Sequence, residues 1–257
     1  MPIDTDHAAH QWSHHSAQQI NEIAANPDAI VLLPVAAIEQ HGPHLPTLTD
    51  TALATALCLS AAENLGPDRP ALVLPPVWTG MSDHHLSFGG TISLTFDEFT
   101  AVLTGIVRSV EKAGFKRMAL VNAHGGNIDG LSILAVDFAR QFGISVVAVT
   151  PWELARQDIG AMLTSQPGVM HACEAETSLM LHLCPDLVHL DRLAGYEPTM
   201  PSRPPKGLKR FSDFAEVSGP SGALGDPRAA TAEVGQRILE MASDALATCL
   251  RRDANWR

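Results

Sequence analysis

No run in this 257-residue sequence is apolar for long enough to form a transmembrane helix, which excludes a helical membrane protein. The start, MPIDTDHAAHQWSHH, lacks the basic n-region and apolar h-region of a secretory leader. Cysteine is sparse: Cys58, Cys173, Cys184 and Cys249 are scattered with no C-x-x-C pair, which fits a reducing cytoplasm. Basic residues are outnumbered 17 to 28, and the formal charge of −11 argues against non-specific binding to nucleic acid or anionic membranes. Charge of either sign reaches only 18%, so part of the surface is expected to lie within a homo-oligomer. Internal repeats and composition breaks are absent, so residues 1–257 are expected to form one domain. What is plentiful is apolar residues, at 46%, ample for a large core.

Four apolar runs read as strands: VLLPVAA (31–37), ALVLPPVW (71–78), RMALVN (117–122) and GISVVAVT (143–150). Each ends in an elbow rich in histidine, carboxylate or glycine. Helical patterns follow from Thr51, from Thr95 with Glu98 in a capping box, and from Ile128. A polar arm with His7, His10, His14 and His15 leads into a short helix, SAQQINEIAA, ahead of the first strand. A further helix follows Gly168 and carries Glu174 and Glu176 near its start. Residues 192–225 are rich in Pro, Gly and Ser, and Asp226-Pro227 reads as the start of a last helix. Strand–helix alternation at this spacing predicts an α/β fold: a layered, mostly parallel sheet flanked by helices, with right-handed crossovers. All strand C-termini then share one edge, where Glu39, His41, His85, His124 and Trp152 would converge on one crevice.

The elbow EQHGPHLPTLTD carries Glu39, His41, His44 and Asp50 within twelve residues. Carboxylate and imidazole are the ligand types of a hard-to-borderline divalent metal. Taken singly, Asp50 fits a helix cap and Glu39 a turn acceptor. His124, at a strand end and followed by Gly125 and Gly126, is poorly suited to plain packing. If one carboxylate bridges two ions about 3.5–4 Å apart, Asp50 fits that position, with Glu39 and His41 on different ions and His124 beside one of them. A further ligand is needed, and Glu176 or Glu174 supplies it, although acids are also common in first turns. The donor set admits Zn, Mn or Fe. His85 and Trp152 would shape a substrate pocket.

EQHGPHLPTLTD, NAHGGN and HACEAETS, in this order and separation, together with GTISL and GDPRAATAE, resemble the creatininase (creatinine amidohydrolase) family. The resemblance runs from about Ile30 into the terminal helix. It implies an α/β fold of layered parallel strands and helices, a dinuclear divalent metal centre, hydrolysis of amide C–N bonds and a homo-oligomer, often a hexamer. It implies Glu39, His41, Asp50 and His124 as metal ligands, with Asp50 bridging, and His171 as the proton-shuttling histidine. In creatininase proper the histidine matching His124 is followed by a tyrosine and a metal-binding glutamate, where Gly125 and Gly126 stand here. Glu176 is then the expected replacement ligand, and Glu174 is second to it and a catalytic candidate with His171. The glycine pair, Gly125 above all, implies a roomier substrate site, similar to branches that deformylate a ribosylaminopyrimidine or trim a peptide.

The expected activity is metal-dependent hydrolysis of a small non-peptide amide, cyclic or formamide in type. A peptide or a phosphate-bearing nucleotide intermediate is the alternative, with Arg203, Lys206, Lys209 and Arg210 available to hold an anion. A non-catalytic metal-binding protein is the third reading. A catalytic metal would keep a water where a structural one would not.

Overall fold

The computed structural model describes residues 7–201 and 210–256. Its sheet has four strands, β1 (Ile30–Val35), β2 (Ala71–Val73), β3 (Arg117–Asn122) and β4 (Ser145–Val149), in the order β2-β1-β3-β4. Every pairing is parallel, with Ile30 beside both Ala71 and Arg117, and Leu120 beside Ala148. All four C-terminal ends therefore meet one edge, as the alternation of elements predicts.

The helices are α1 (Ala17–Ala24), α2 (Thr49–Leu65), α3 (Phe96–Lys112), α4 (Ile128–Gln141), α5 (Pro151–Leu154), α6 (Arg156–Met162), α7 (Glu174–Leu183), α8 (Phe214–Ser218) and α9 (Ala232–Arg251). The period of two along each strand assigns the layers. Val31, Leu33 and Val35 of β1 join Met118 and Leu120 of β3 in packing on Phe99 and Leu103 of α3 and Phe138 of α4. Ile30, Leu32, Ala119 and Val121 face the other way, onto Cys58 and Ala62 of α2 and Leu246 and Leu250 of α9. Full burial of one such aliphatic side chain is worth about 1.5–3 kcal/mol, so both faces hold the sheet firmly. Beyond α2, a third cluster joins Leu53 and Leu57 to Leu179 and Met180 of α7 and Ile238 of α9, fixing α7 beside the strand edge.

Local departures from expectation have clear causes. The run 71–78 pairs as a strand only to Val73, because Pro75 and Pro76 have no N–H to give; Val77 alone bridges back to Val35. Asp226 caps a short turn, Pro227–Ala229, and α9 starts later, at Ala232, where Thr231 accepts from the Val234 amide. The capping box at Thr95 and Glu98 is formed, both halves present. The histidine-rich arm docks its main chain along β2, the Val73 amide donating to His10 O at 2.7 Å. Arg203, Lys206 and Lys209 lie outside the described residues; Arg210 is exposed, 3.5 Å from Glu216. Among the described residues no helix is long and apolar enough to cross a membrane, and the four cysteines are free.

Candidate metal centre

Glu39, Gln40 and His41 leave the end of β1 into a tight turn, and the chain re-enters as α2 with Asp50 in its first turn. Leu48, not Asp50, holds the position before that helix, so the Asp50 carboxylate is not spent on capping. His124 stands just past β3, and Glu176 in the first turn of α7. Glu39, Gln40, His41, Asp50, His124 and Glu176 are all buried. Asp50 Oδ1 lies 3.1 Å from His41 Nε2, while Asp50 Oδ2 lies 3.2 Å from His124 Nδ1. Glu39 Oε1 is 3.2 Å from the same His124 nitrogen, and Glu176 Oε2 is 3.7 Å from His41 Nε2.

The far nitrogen of each imidazole settles what its near one presents. His41 Nδ1 donates to the main-chain oxygen of Glu39 at 3.1 Å, and His124 Nε2 donates to that of Met81 at 3.2 Å. Carbonyls accept only, so in a neutral ring the nitrogen facing the carboxylates carries a lone pair, the arrangement that orients metal-binding histidines. Lone pairs facing carboxylates at these distances repel unless a cation or a proton lies between. Both oxygens of Glu39 and Oδ2 of Asp50 are buried with no hydrogen-bond partner, a costly state for charged groups. Donor atoms 2.0–2.2 Å from a shared ion sit about 3.0–3.5 Å apart, close to the separations found here. The residues present fit divalent metal.

Charge tells the same story from the protein's side. Burial alone would depress His41, but Asp50, then Glu176 and Glu39, outweigh it and raise the imidazole to about 9. His124 is likewise driven well above its ordinary value, burial being overcome by Glu39 and Asp50. Burial, with Asp50 and Glu39 adding to it, raises the carboxyl of Glu176. The two protonated rings stand in for cations. Three overlapping donor groups result, Glu39–His41–His171, Glu39–His84–His124 and His41–Asp50–Glu176, and they point to a dinuclear site.

His171, on the chain leading into α7, donates Nε2–H to the Gln40 carbonyl at 2.8 Å and turns Nδ1 to Glu39 Oε1 at 3.4 Å. Burial and the neighbouring His41, His85 and His124 hold its pKa well below the ordinary value. The next residue, Ala172, has φ of 50°, the one non-glycine in the left-handed region among the described residues, and its amide donates to Glu176 Oε2. Glu174 does not join the group. Its two oxygens accept from the amides and hydroxyls of Thr164 and Ser165, tying that turn to α7. The catalytic part expected of Glu174 therefore lacks a free oxygen to perform it.

Above the donors opens a cleft of about 230 Å³ with Trp152, Val169, Met170 and Phe214 as apolar walls. His85 is buried at its base and Gly125 lines its mouth. Among the described residues no lysine or arginine lines it. The glycine pair divides in function. A side chain at Gly125 would meet nothing within 4 Å, whereas a Cβ at Gly126 would fall 2.3 Å from Met81 O and 2.4 Å from His124 Nε2. Only Gly125 adds room; Gly126 lets His124 approach. Asn127, fully buried, accepts from the Met81 amide at 3.0 Å and donates to Ala36 O at 3.1 Å, joining the elbows after β1 and β3 to the segment carrying His84 and His85. Phe214 and Gln40 escaped the sequence reading, and His84, in the elbow after the second apolar run, was given no role in it. Phe214 reaches the cleft from the irregular stretch and packs on His85 and His171, ring centres 4.3 and 4.7 Å away. Cys173 is a buried thiol, pushed up to about 12 by burial and thus inert.

The profile of the family described as creatinine amidohydrolase, Creatininase, matches residues 13–250. The mycofactocin precursor peptide peptidase of Mycolicibacterium smegmatis is 36% identical over 235 residues, covering 88% of this chain and 85% of its own. The creatinine amidohydrolase of Pseudomonas putida is 32% identical over 259 residues, covering 94% of each. Among solved structures, a manganese creatininase superposes with a TM-score of 0.79 at 28% identity, over 95% of this chain and 98% of that one. A Zn–Zn type creatininase mutant does so at 0.77 and 27%, over 95% and 97%.

Proposed function

The chain belongs to the creatininase family of hydrolases, and from that premise we propose that it is a metal-dependent peptidase acting on a short peptide. The observation that carries the choice of a peptide over the small non-peptide amide is Gly125. The open space a Cβ would find there leaves room beside His124 for a substrate larger than a small cyclic amide. The 36% identity to peptidases of mycofactocin precursor peptides supports the same reading.

Glu39, Asp50 and His124 would hold one ion, and His41, Asp50 and Glu176 the other, with Asp50 shared. When bound, such ions supply a water acidified toward pKa 7 and a Lewis acid for the amide carbonyl. His171, with Nε2–H tied to the Gln40 carbonyl and Nδ1 facing inward, would take up a proton at Nδ1 and return it to the leaving nitrogen. Trp152 and Phe214 wall off water and seat the chain. Zn or Mn suits the mixed N and O donors, with Fe also admitted. The four unpaired cysteines support a cytoplasmic setting. Ile133 and Val136, which stand exposed on α4, support a homo-oligomer.

The test is a screen of zinc- and manganese-loaded protein against short linear peptides, creatinine and formamides. Cleavage of peptides is expected. Creatinine hydrolysis with no peptide cleavage would transfer the assignment to a cyclic amide, and two bound ions without any turnover would favour a structural centre.

A further inference from the structure

Gln40 sits between two ligand candidates, is buried, and spends both polar atoms of its side chain on hydrogen bonds to neighbours. Its Oε1 accepts from the Gly42 amide at 2.9 Å, which identifies that atom as the oxygen. Nε2 then has two hydrogens and three atoms in reach: Gly222 O at 3.0 Å, His85 Nδ1 at 2.8 Å and His171 Nε2 at 3.0 Å. The Gly222 carbonyl only accepts, so it takes one. His171 Nε2 also lies 2.8 Å from the Gln40 main-chain oxygen, another pure acceptor. That ring nitrogen therefore bears its own hydrogen and cannot accept. The second amide hydrogen goes to His85 Nδ1. His85 in consequence keeps its hydrogen on Nε2, which faces Glu39 Oε1 at 3.3 Å.

From this closed chain we propose that Gln40 is a positioning residue that fixes the tautomers of His85 and His171, with Gly222 as its clamp. Its main-chain carbonyl leaves the Nδ1 lone pair of His171 turned inward, and its carboxamide leaves the His85 hydrogen on Nε2, on the Glu39 side but outside hydrogen-bond geometry. Gly222 has φ of 66°, and a Cβ there would fall 2.2 Å from Gln40 Oε1. A larger residue at 222 must displace the carboxamide. The loop 219–222 is thus part of the device although it touches no ligand candidate. The tautomers hold whatever amide is cleaved; only their effect on turnover rests on the proposed function.

The experiment is long-range 1H–15N correlation NMR of full-length, zinc-loaded protein labelled at histidine. Wild type is expected to show hydrogen on Nε2 of both His85 and His171 and bare Nδ1 atoms. Gln40→Glu cannot donate to His85, and Gly222→Ala pushes the carboxamide from outside the cage. Each is expected to move the His85 hydrogen to Nδ1 with zinc content unchanged, and to lower kcat about 10–100-fold with KM within about threefold. Opposite tautomers in wild type, or unchanged tautomers in the folded variants, overturn the proposal. Should Gln40→Glu fail to fold, Gly222→Ala and the wild-type spectrum decide. Tautomers as assigned with no amide cleaved would count against the proposed function alone.

Discussion

The main-chain carbonyl of Glu39 accepts a hydrogen bond from Nδ1 of His41 at 3.1 Å, so one ligand candidate aims the other through its backbone. A spacing of two residues at a strand end makes this possible. Neither side chain needs an outside partner to hold that geometry, which leaves the Glu39 carboxylate free for the centre.

Because each oxygen of Asp50 faces a different histidine, Asp50→Asn is expected to cost both ions, whereas Glu39→Gln costs one. Metal analysis of purified, folded protein should fall from about two ions per chain to below about one for the former and to about one for the latter. Equal stoichiometry in the two variants would remove Asp50 from the shared position.

The glutamates of α7 separate cleanly. Glu176→Gln should weaken metal binding at the His41 side. Glu174→Gln should retain metal and activity but lower stability by about 1–3 kcal/mol, since the new amide faces the donors of Thr164 and Ser165. Urea unfolding alongside metal analysis checks both, and loss of metal in the Glu174 variant alone would reverse the assignment.

Proton competition sets a pH dependence. In the metal-free chain His41 is raised to about 9 and Glu176 is raised too, so the folded state binds more protons than the unfolded one in the neutral range. The stability these groups contribute is complete below their unfolded pKa values and is lost as pH rises through the folded ones. Metal-free protein should therefore melt at lower temperature at pH 9 than at pH 6. Bound metal replaces the protons, so its stabilising effect should grow over the same interval. Thermal melts with and without chelator, at several pH values, measure this; a metal effect that shrinks with rising pH would contradict it.

Gly126→Ala should displace His124 and lower metal affinity, since the added methyl meets Met81 O and His124 Nε2. Gly125→Ala should leave both metal and fold intact. Gly125→Tyr narrows the cleft, and kcat/KM for extended peptides should fall about tenfold with metal content unchanged. Comparing metal content and kcat/KM across the three variants tests the division of labour.

Much of the site was legible because its residues sit at strand ends, where hydrophobic runs announce their own boundaries. Glu39, His41, His85, His124 and Trp152 could be placed on one edge from parallel topology, and Asp50 from its place in the elbow after the first strand. The choice between Glu174 and Glu176 could not, because it depends on which carboxylate the Thr164–Ser165 turn reaches first. Phe214 was hidden for a similar reason: the stretch that delivers it has no period to read. Gln40 was masked by chemically louder neighbours, and its role appears only when Gly222, far along the chain, is placed against it. The second strand was overread because apolar composition outweighed the two prolines that interrupt its pairing.

Asn127 is not a ligand candidate, yet its amide donates to His124 O at 3.2 Å while its side chain grips the main chain beyond β1 and the segment before His84. Through these bonds the three elbows are tied to one another, and together they form the floor of the cleft. Redesign of this enzyme therefore has free rein at the walls that Asn127 does not hold, around Trp152 and Phe214, while a graft confined to one elbow would arrive out of alignment with the rest.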